Sequence, residues 1–131
     1  SAAMAETTPP KPAFAPTRSL PLPGGAKLVF CSGVTARGSA AEAQGVEAQA
    51  EECFARLTRA LAQEGGSFAD VLKLNTYLSD MRDYAGFDAV RRRILAPLPV
   101  PPASTCVGGA SFTTPLTRIE IEAIAVIGAK G

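Results

Sequence analysis

The sequence contains no histidine and no tryptophan, and aromatic residues make up only 6% of it. Without histidine there is no Ser-His-Asp triad and no imidazole acid or base. A zinc site of the common His-containing kind is excluded as well. Cysteine is scarce: Cys31, Cys53 and Cys106 form an odd, widely spaced set. That pattern does not build a disulfide framework, so the thiols are expected to be reduced and the location cytoplasmic. No apolar run approaches the ~18 residues of a membrane span. The start of the chain lacks the charged-then-apolar pattern of a signal peptide, and Ser1–Ala3, ahead of Met4, read as vector-derived. Charge of one sign is also missing. Thirteen basic residues against twelve acidic ones leave a net +1, which gives no reason to expect nucleic acid or a membrane surface as partner.

What is present is ample apolar material, 47% of 131 residues, enough for one packed domain. Residues 1–15 are rich in proline and read as a disordered or extended segment, with the domain over 16–131. TRSLPLPGG has room for a short edge strand, because Pro21 and Pro23 cannot donate to a central ladder. AKLVFCSGV is an apolar strand, and TARGSAAEAQG a loop. Val46, Ala50, Cys53, Leu57, Ala60, Leu61 and Glu64 recur at helical spacing, an apolar stripe apart from the last, and Gly65-Gly66 ends that helix. The period then changes to two. Leu72, Leu74, Thr76 and Leu78 share one face; Val71, Lys73, Asn75, Tyr77 and Ser79 share the other. A second helix follows with Tyr84, Phe87, Arg91, Ile94 and Leu95 inward and Asp80 or Asp83 as cap. Prolines 97, 99, 101 and 102 stop it. ASTCVGGA and RIEIEAIAVI are two more strands.

The order β-β-α-β-α-β-β predicts an α+β fold with two helices on one face of a mixed sheet. The other face would carry Lys73, Asn75, Tyr77, Glu120, Glu122, Ile124 and Val126. That set is too apolar for a solvated face and too polar for an ordinary core. A face buried between subunits fits it. Glu122 is then expected to pair with Lys73 or Arg118. Arg91-Arg92-Arg93 reads as a solvated charge run, and the GGA at 108–110 is no phosphate loop, since no Lys or helix start follows it.

LVFCSG, then QAEECFARLTRALAQEGGSFADVLKLNTYLSDMRDYAGFDAVRRRIL, then PPASTCV and IEIEAIAV, stand in order from Leu28 to Val126. Together they resemble the RidA/YjgF family, whose older labels are endoribonuclease L-PSP and translation inhibitor. The resemblance implies a chorismate-mutase-like fold and a homotrimer whose sheets form a central barrel, with ligand clefts between chains. It also implies cofactor-free, metal-free hydrolysis of reactive imines and enamines such as 2-aminoacrylate. In such members a Pro-Ala-Arg-Ser/Thr segment clamps the substrate carboxylate through a bidentate guanidinium. Here the segment is Pro102-Ala103-Ser104-Thr105, with Ser104 in place of the arginine.

By the same resemblance Glu120 orders the attacking water, and Gly33 lines the cleft through its backbone. Cys106 lines it too, and Asp88 stands for the family's Asn. Ser104 and Thr105 would hydrogen-bond the substrate. Arg37, in trans, or Arg18 would replace the lost cation. The blander alternatives are a structural carboxylate at Glu120, a relic position at Ser104 and a solvated loop arginine at Arg37. Without the arginine, the expected substrate is a small imine, enamine or similarly activated molecule other than a simple 2-imino acid. A non-catalytic ligand sensor or chaperone-like binder is the second reading, and a ribonuclease or translation inhibitor the third.

Overall fold

A computed structural model describes residues 9–129. The expectations of a disordered or extended start and of a vector-derived Ser1–Ala3 fall partly outside it, because residues 1–8 are not described. Ala15 and Pro16 are tied down, because their carbonyls accept from the Ser32 hydroxyl (2.7 Å) and the Ser32 amide (2.9 Å).

Five strands and two helices follow in the expected order: β1 Thr17–Pro21, β2 Lys27–Val34, α1 Val46–Gln63, β3 Val71–Leu78, α2 Tyr84–Leu95, β4 Ala103–Val107 and β5 Ile119–Ile127. The sheet order is β1-β2-β5-β3-β4. Only β3 and β4 run parallel, so the sheet is mixed, and the proline-bounded β1 does lie at an edge. The loop before α1 contains a short 3-10 turn at Ala40–Ala43.

Both helices cover the same face. Val46, Ala50, Cys53, Phe54, Leu57 and Leu61 of α1, with Phe87, Val90 and Leu95 of α2, pack on Leu74, Leu78, Ile119, Ile121, Ala123 and Ala125. At ~25 cal/mol per Å² of apolar area removed from water, this layer is the main source of stability. The period-two pattern of β5 is complete, with each odd-numbered residue from 119 to 127 buried and each even-numbered one half-exposed. Gln49 is a buried polar residue in α1. Its amide donates to the Glu42 and Leu116 carbonyls and its oxygen accepts from the Arg118 amide, which anchors the chain entering β5.

The predicted alternation of β3 fails at its first two residues. Val71 is buried and Leu72 is 56% exposed, the reverse of the expectation. The register between β3 and β5 shifts between Val71 and Lys73. A bulge adds one residue to one strand and inverts the facing upstream of it. From Leu74 onward the alternation holds. Asp80 caps the 3-10 turn before α2 by accepting from the Arg82 amide, while Asp83 instead takes Arg118.

The uncovered face combines an apolar half and a polar half. Phe30 lies opposite Ile124, and Leu28 opposite Val126. Leu20, Phe30 and Leu72 are exposed large apolar side chains. Tyr77 lies opposite Glu120, and Asn75 opposite Glu122.

Candidate functional site

Glu120 and Glu122 share a strand face but not a chemistry. Tyr77 donates its hydroxyl to Glu122 Oε1 at 2.6 Å. The expected partners of Glu122 are engaged elsewhere: Lys73 donates to Thr105 Oγ1 at 2.8 Å, and Arg118 pairs with Asp83 at 2.7 Å. The reason is local. Tyr77 and Glu120 are cross-strand neighbours, and the long Tyr77 ring reaches diagonally to the next residue on that face.

Glu120 is different. Its carboxyl is pushed above the ordinary carboxylate range by burial first and by the negative Glu122 second, and among the described residues no cation or donor offsets either. It lies against Gly33, where the β2 ladder shifts register between Cys31 and Val34. A Cβ at residue 33 would stand 2.7 Å from Glu120 Oε2, so only glycine lets the carboxylate sit there. Glu120, Glu122, Tyr77, Thr35 and Phe112 line a cavity of about 370 Å³. An unpaired carboxylate with a raised pKa, in a cleft, is suited to taking a proton from water near neutral pH.

Ser104 lies elsewhere. On β4 it pairs with the buried Leu74, and Cys106 packs against the core, so Ser104 and Cys106 look toward the helices. Thr105 points to the opposite, uncovered face beside Lys73. One chain therefore does not bring Ser104 to Glu120, and it splits Ser104 from Thr105. Asp88 joins Ser104 through Arg91. The Arg91 guanidinium donates to Asp88 Oδ1 (2.5 and 3.0 Å), to Ser104 Oγ (2.9 Å) and to Tyr84 Oη (2.9 Å). It lies 4.8 Å from the centroid of the Phe87 ring.

The three arginines of the charge run thus differ. The Arg91 side chain is 17% exposed, against 79% for Arg92 and 61% for Arg93. Arg92 and then Arg91 hold the Asp88 carboxyl below its usual range. A groove of about 460 Å³ runs along this cluster, lined by Leu74, Leu98, Pro101, Pro102 and Ser104.

Neither nominated replacement cation reaches Ser104 within the chain. Arg37 is an exposed loop residue. Its amide donates to Thr35 Oγ1 and its carbonyl accepts from Arg56. Arg18 lines a separate cavity of about 240 Å³ with Phe30, Ser32, Asn75 and Glu122. Burial raises the Cys106 thiol despite the nearby positive charge of Arg91, and burial pushes Cys53 up to about 12. A raised pKa disfavours the nucleophilic thiolate form in both. Among the described residues no cluster of three or more His, Cys, Asp or Glu is placed to hold a metal ion. No helix among them is long and apolar enough to cross a membrane.

Comparison with known proteins adds kinship to this geometry. The family profile described as endoribonuclease L-PSP matches residues 25–127. Protein mmf1, mitochondrial, of Schizosaccharomyces pombe is 36% identical over 106 residues, which cover 76% of this chain and 62% of that protein. The chain spans a smaller share still, 54%, of the Saccharomyces cerevisiae protein MMF1. Among solved structures, NMB1025 of Neisseria meningitidis, a member of the YjgF protein family, is 31% identical with a TM-score of 0.64, covering 79% of this chain and 82% of that one. Rv2704 of Mycobacterium tuberculosis, from the YjgF/YER057c/UK114 family, is 26% identical with a TM-score of 0.68, covering 76% and 79%.

These names correct the expected location. The curated fungal relatives, mmf2 of S. pombe included, are called mitochondrial, which overturns the cytoplasmic expectation. The cysteine argument speaks to the redox state of the thiols, not to the compartment that keeps them reduced.

Proposed function

The chain belongs to the endoribonuclease L-PSP family, the YjgF/RidA group, and from this premise we propose that it hydrolyses a small imine or enamine in seams between three copies of itself. The observation that carries the reading is the state of Glu120: half-buried, uncompensated, and seated on the one residue that leaves it room. In the proposed step a water oxygen adds to the carbon of the protonated imine (C=NH2+) while Glu120 accepts one water proton, giving a neutral carbinolamine. Glu120 returns that proton to the nitrogen, the C–N bond breaks as ammonia leaves, and the hydroxyl proton passes to Glu120 as the C=O bond forms. The products are a carbonyl compound and ammonia, with no change in oxidation state. An enamine enters the same route after tautomerising to its imine. No cofactor enters the scheme. By kinship with the mitochondrial relatives, a mitochondrial setting is part of the proposal.

Two features support an assembly. The uncovered face joins Leu20, Phe30, Leu72 and Ile124 to a polar half, a composition that suits burial against a like face. Ser104 and Glu120, on opposite faces of the sheet, meet only if neighbouring chains contribute one each. The same acidic face argues against a phosphodiester substrate, which Glu120 and Glu122 would repel.

The test is ammonia release from enzymatically generated imines and enamines, neutral and anionic. Turnover above the spontaneous rate supports the reading; saturable binding without turnover in every case points to a binder. Gly33→Ala provides a second check. Its Cβ must displace the carboxylate, and turnover is expected to fall at least tenfold, since a misplacement of ~1 Å costs up to about 100-fold. Unchanged turnover in that variant would show that the seating of Glu120 is irrelevant.

A further inference from the structure

A guanidinium drawn out of a solvated run and set beside a serine in an apolar groove has a binding capacity that its hydrogen bonds define. Arginine carries five N–H donors. In Arg91, Nε and one Nη2 hydrogen go to Asp88, the other Nη2 hydrogen to Tyr84, and one Nη1 hydrogen to Ser104. One Nη1 hydrogen is left. Ser104 accepts through its oxygen, so its own O–H is left to donate. The two groups that carry these donors are 2.9 Å apart, and both line the groove.

The acceptor capacity nearby is already used. Asp88 Oδ1 takes Arg91 and Oδ2 takes Arg92, so the three side chains together carry one net positive charge. Phe87 stacks on the guanidinium and fixes its plane. Two adjacent donor groups, a net positive charge and a guanidinium held by Phe87 and Asp88 match a carboxylate, one oxygen on each donor. The rest of the groove, Leu74, Leu95, Leu98 and Pro101, suits a short apolar tail.

We propose that Arg91 and Ser104 together form a carboxylate subsite, with the guanidinium delivered from α2 rather than from β4. Resting on the proposed function, this restores anionic acids to the substrate class that a serine at 104, read alone, argues against. Asp88 is a positioning residue: it holds Arg91 and does not touch the ligand.

The test uses the full chain with pyruvate as probe and its neutral methyl ester as control. NMR signals of Arg91 Nε and the Ser104 amide are followed during titration. Pyruvate is expected to shift both saturably and methyl pyruvate neither. Arg91→Gln is expected to weaken pyruvate at least about tenfold, Ser104→Ala by less, and Arg91→Lys to lie between wild type and Arg91→Gln. Equal binding of acid and ester, or unchanged affinity in the Arg91 variants, would overturn the proposal. Should Arg91→Gln fail to fold, the acid-to-ester ratio in the wild type and the Ser104→Ala titration decide. Failure here is separable from failure of the proposed function. Glu120-dependent turnover of a neutral imine without pyruvate binding sinks only the subsite. Pyruvate binding through Arg91 without any turnover sinks only the hydrolysis.

Discussion

Glu120→Gln is expected to lower turnover by about 100- to 10,000-fold, the range a positioned general base contributes. The amide keeps the shape and the polarity and removes the proton acceptor. The same substitution is expected to leave the fold at least as stable at neutral pH. Burial and Glu122 raise the Glu120 pKa in the folded chain above its unfolded value. Protonation is therefore favoured by folding. The associated stability is present below the unfolded pKa and is lost as pH rises through the raised folded value. At pH 7 the ionised Glu120 burdens the fold, and glutamine relieves it; at acid pH the two proteins should unfold alike. Thermal unfolding of both against pH measures this. A wild-type advantage that grows with pH would mean that Glu120 has a compensating partner and a structural role. The activity profile should have its acid limb above the ordinary carboxylate range, since the base form is the working one.

Ile124→Lys is expected to dissociate the proposed trimer. Ile124 lies on the uncovered face opposite Phe30 and next to Lys73 in the β3 ladder. In the proposed trimer an ammonium there would face its symmetry mates, unpaired and repelled. One uncompensated buried charge costs several kcal/mol, and each 1.4 kcal/mol is a factor of ten in association. Light scattering should find the 13.5 kDa chain alone at concentrations where the wild type is associated, and turnover should vanish with assembly. Full activity in a monomeric variant would place the whole site within one chain.

The element order and the covered face of the sheet were legible because two periods, 3.6 and 2, are written plainly into α1 and β5. The bulge at Val71 was not. One inserted residue inverts the facing of two side chains, and both are apolar, so no pattern marks it. Phe54 and Gln49 are buried beyond the stripe that the spacing of α1 outlines, because α1 touches α2 and the β5 entry loop as well as the sheet. Glu122 with Tyr77 depends on cross-strand register, which only pairing reveals. Arg91 was marked twice, and the marks disagree. Composition puts it in a charged run; spacing puts it four residues past Phe87 and seven past Tyr84, on the inner stripe. The stripe prevails, because stacking on Phe87 and pairing with Asp88 offset the loss of water. That contact with Ser104 also shows why single positions mislead: a cation absent from β4 arrives from a helix.

Whether the working site is split between chains is tested most directly by mixing two variants that are each inactive. Glu120→Gln spoils one side of a seam, and Ser104→Trp, which fills the groove, spoils the other. In randomly mixed trimers roughly a quarter of the seams pair an intact Ser104 side with an intact Glu120 side. Activity near that fraction of wild type is the predicted result. No recovery in samples whose mixed assembly is verified by mass would contradict a site built across the seam.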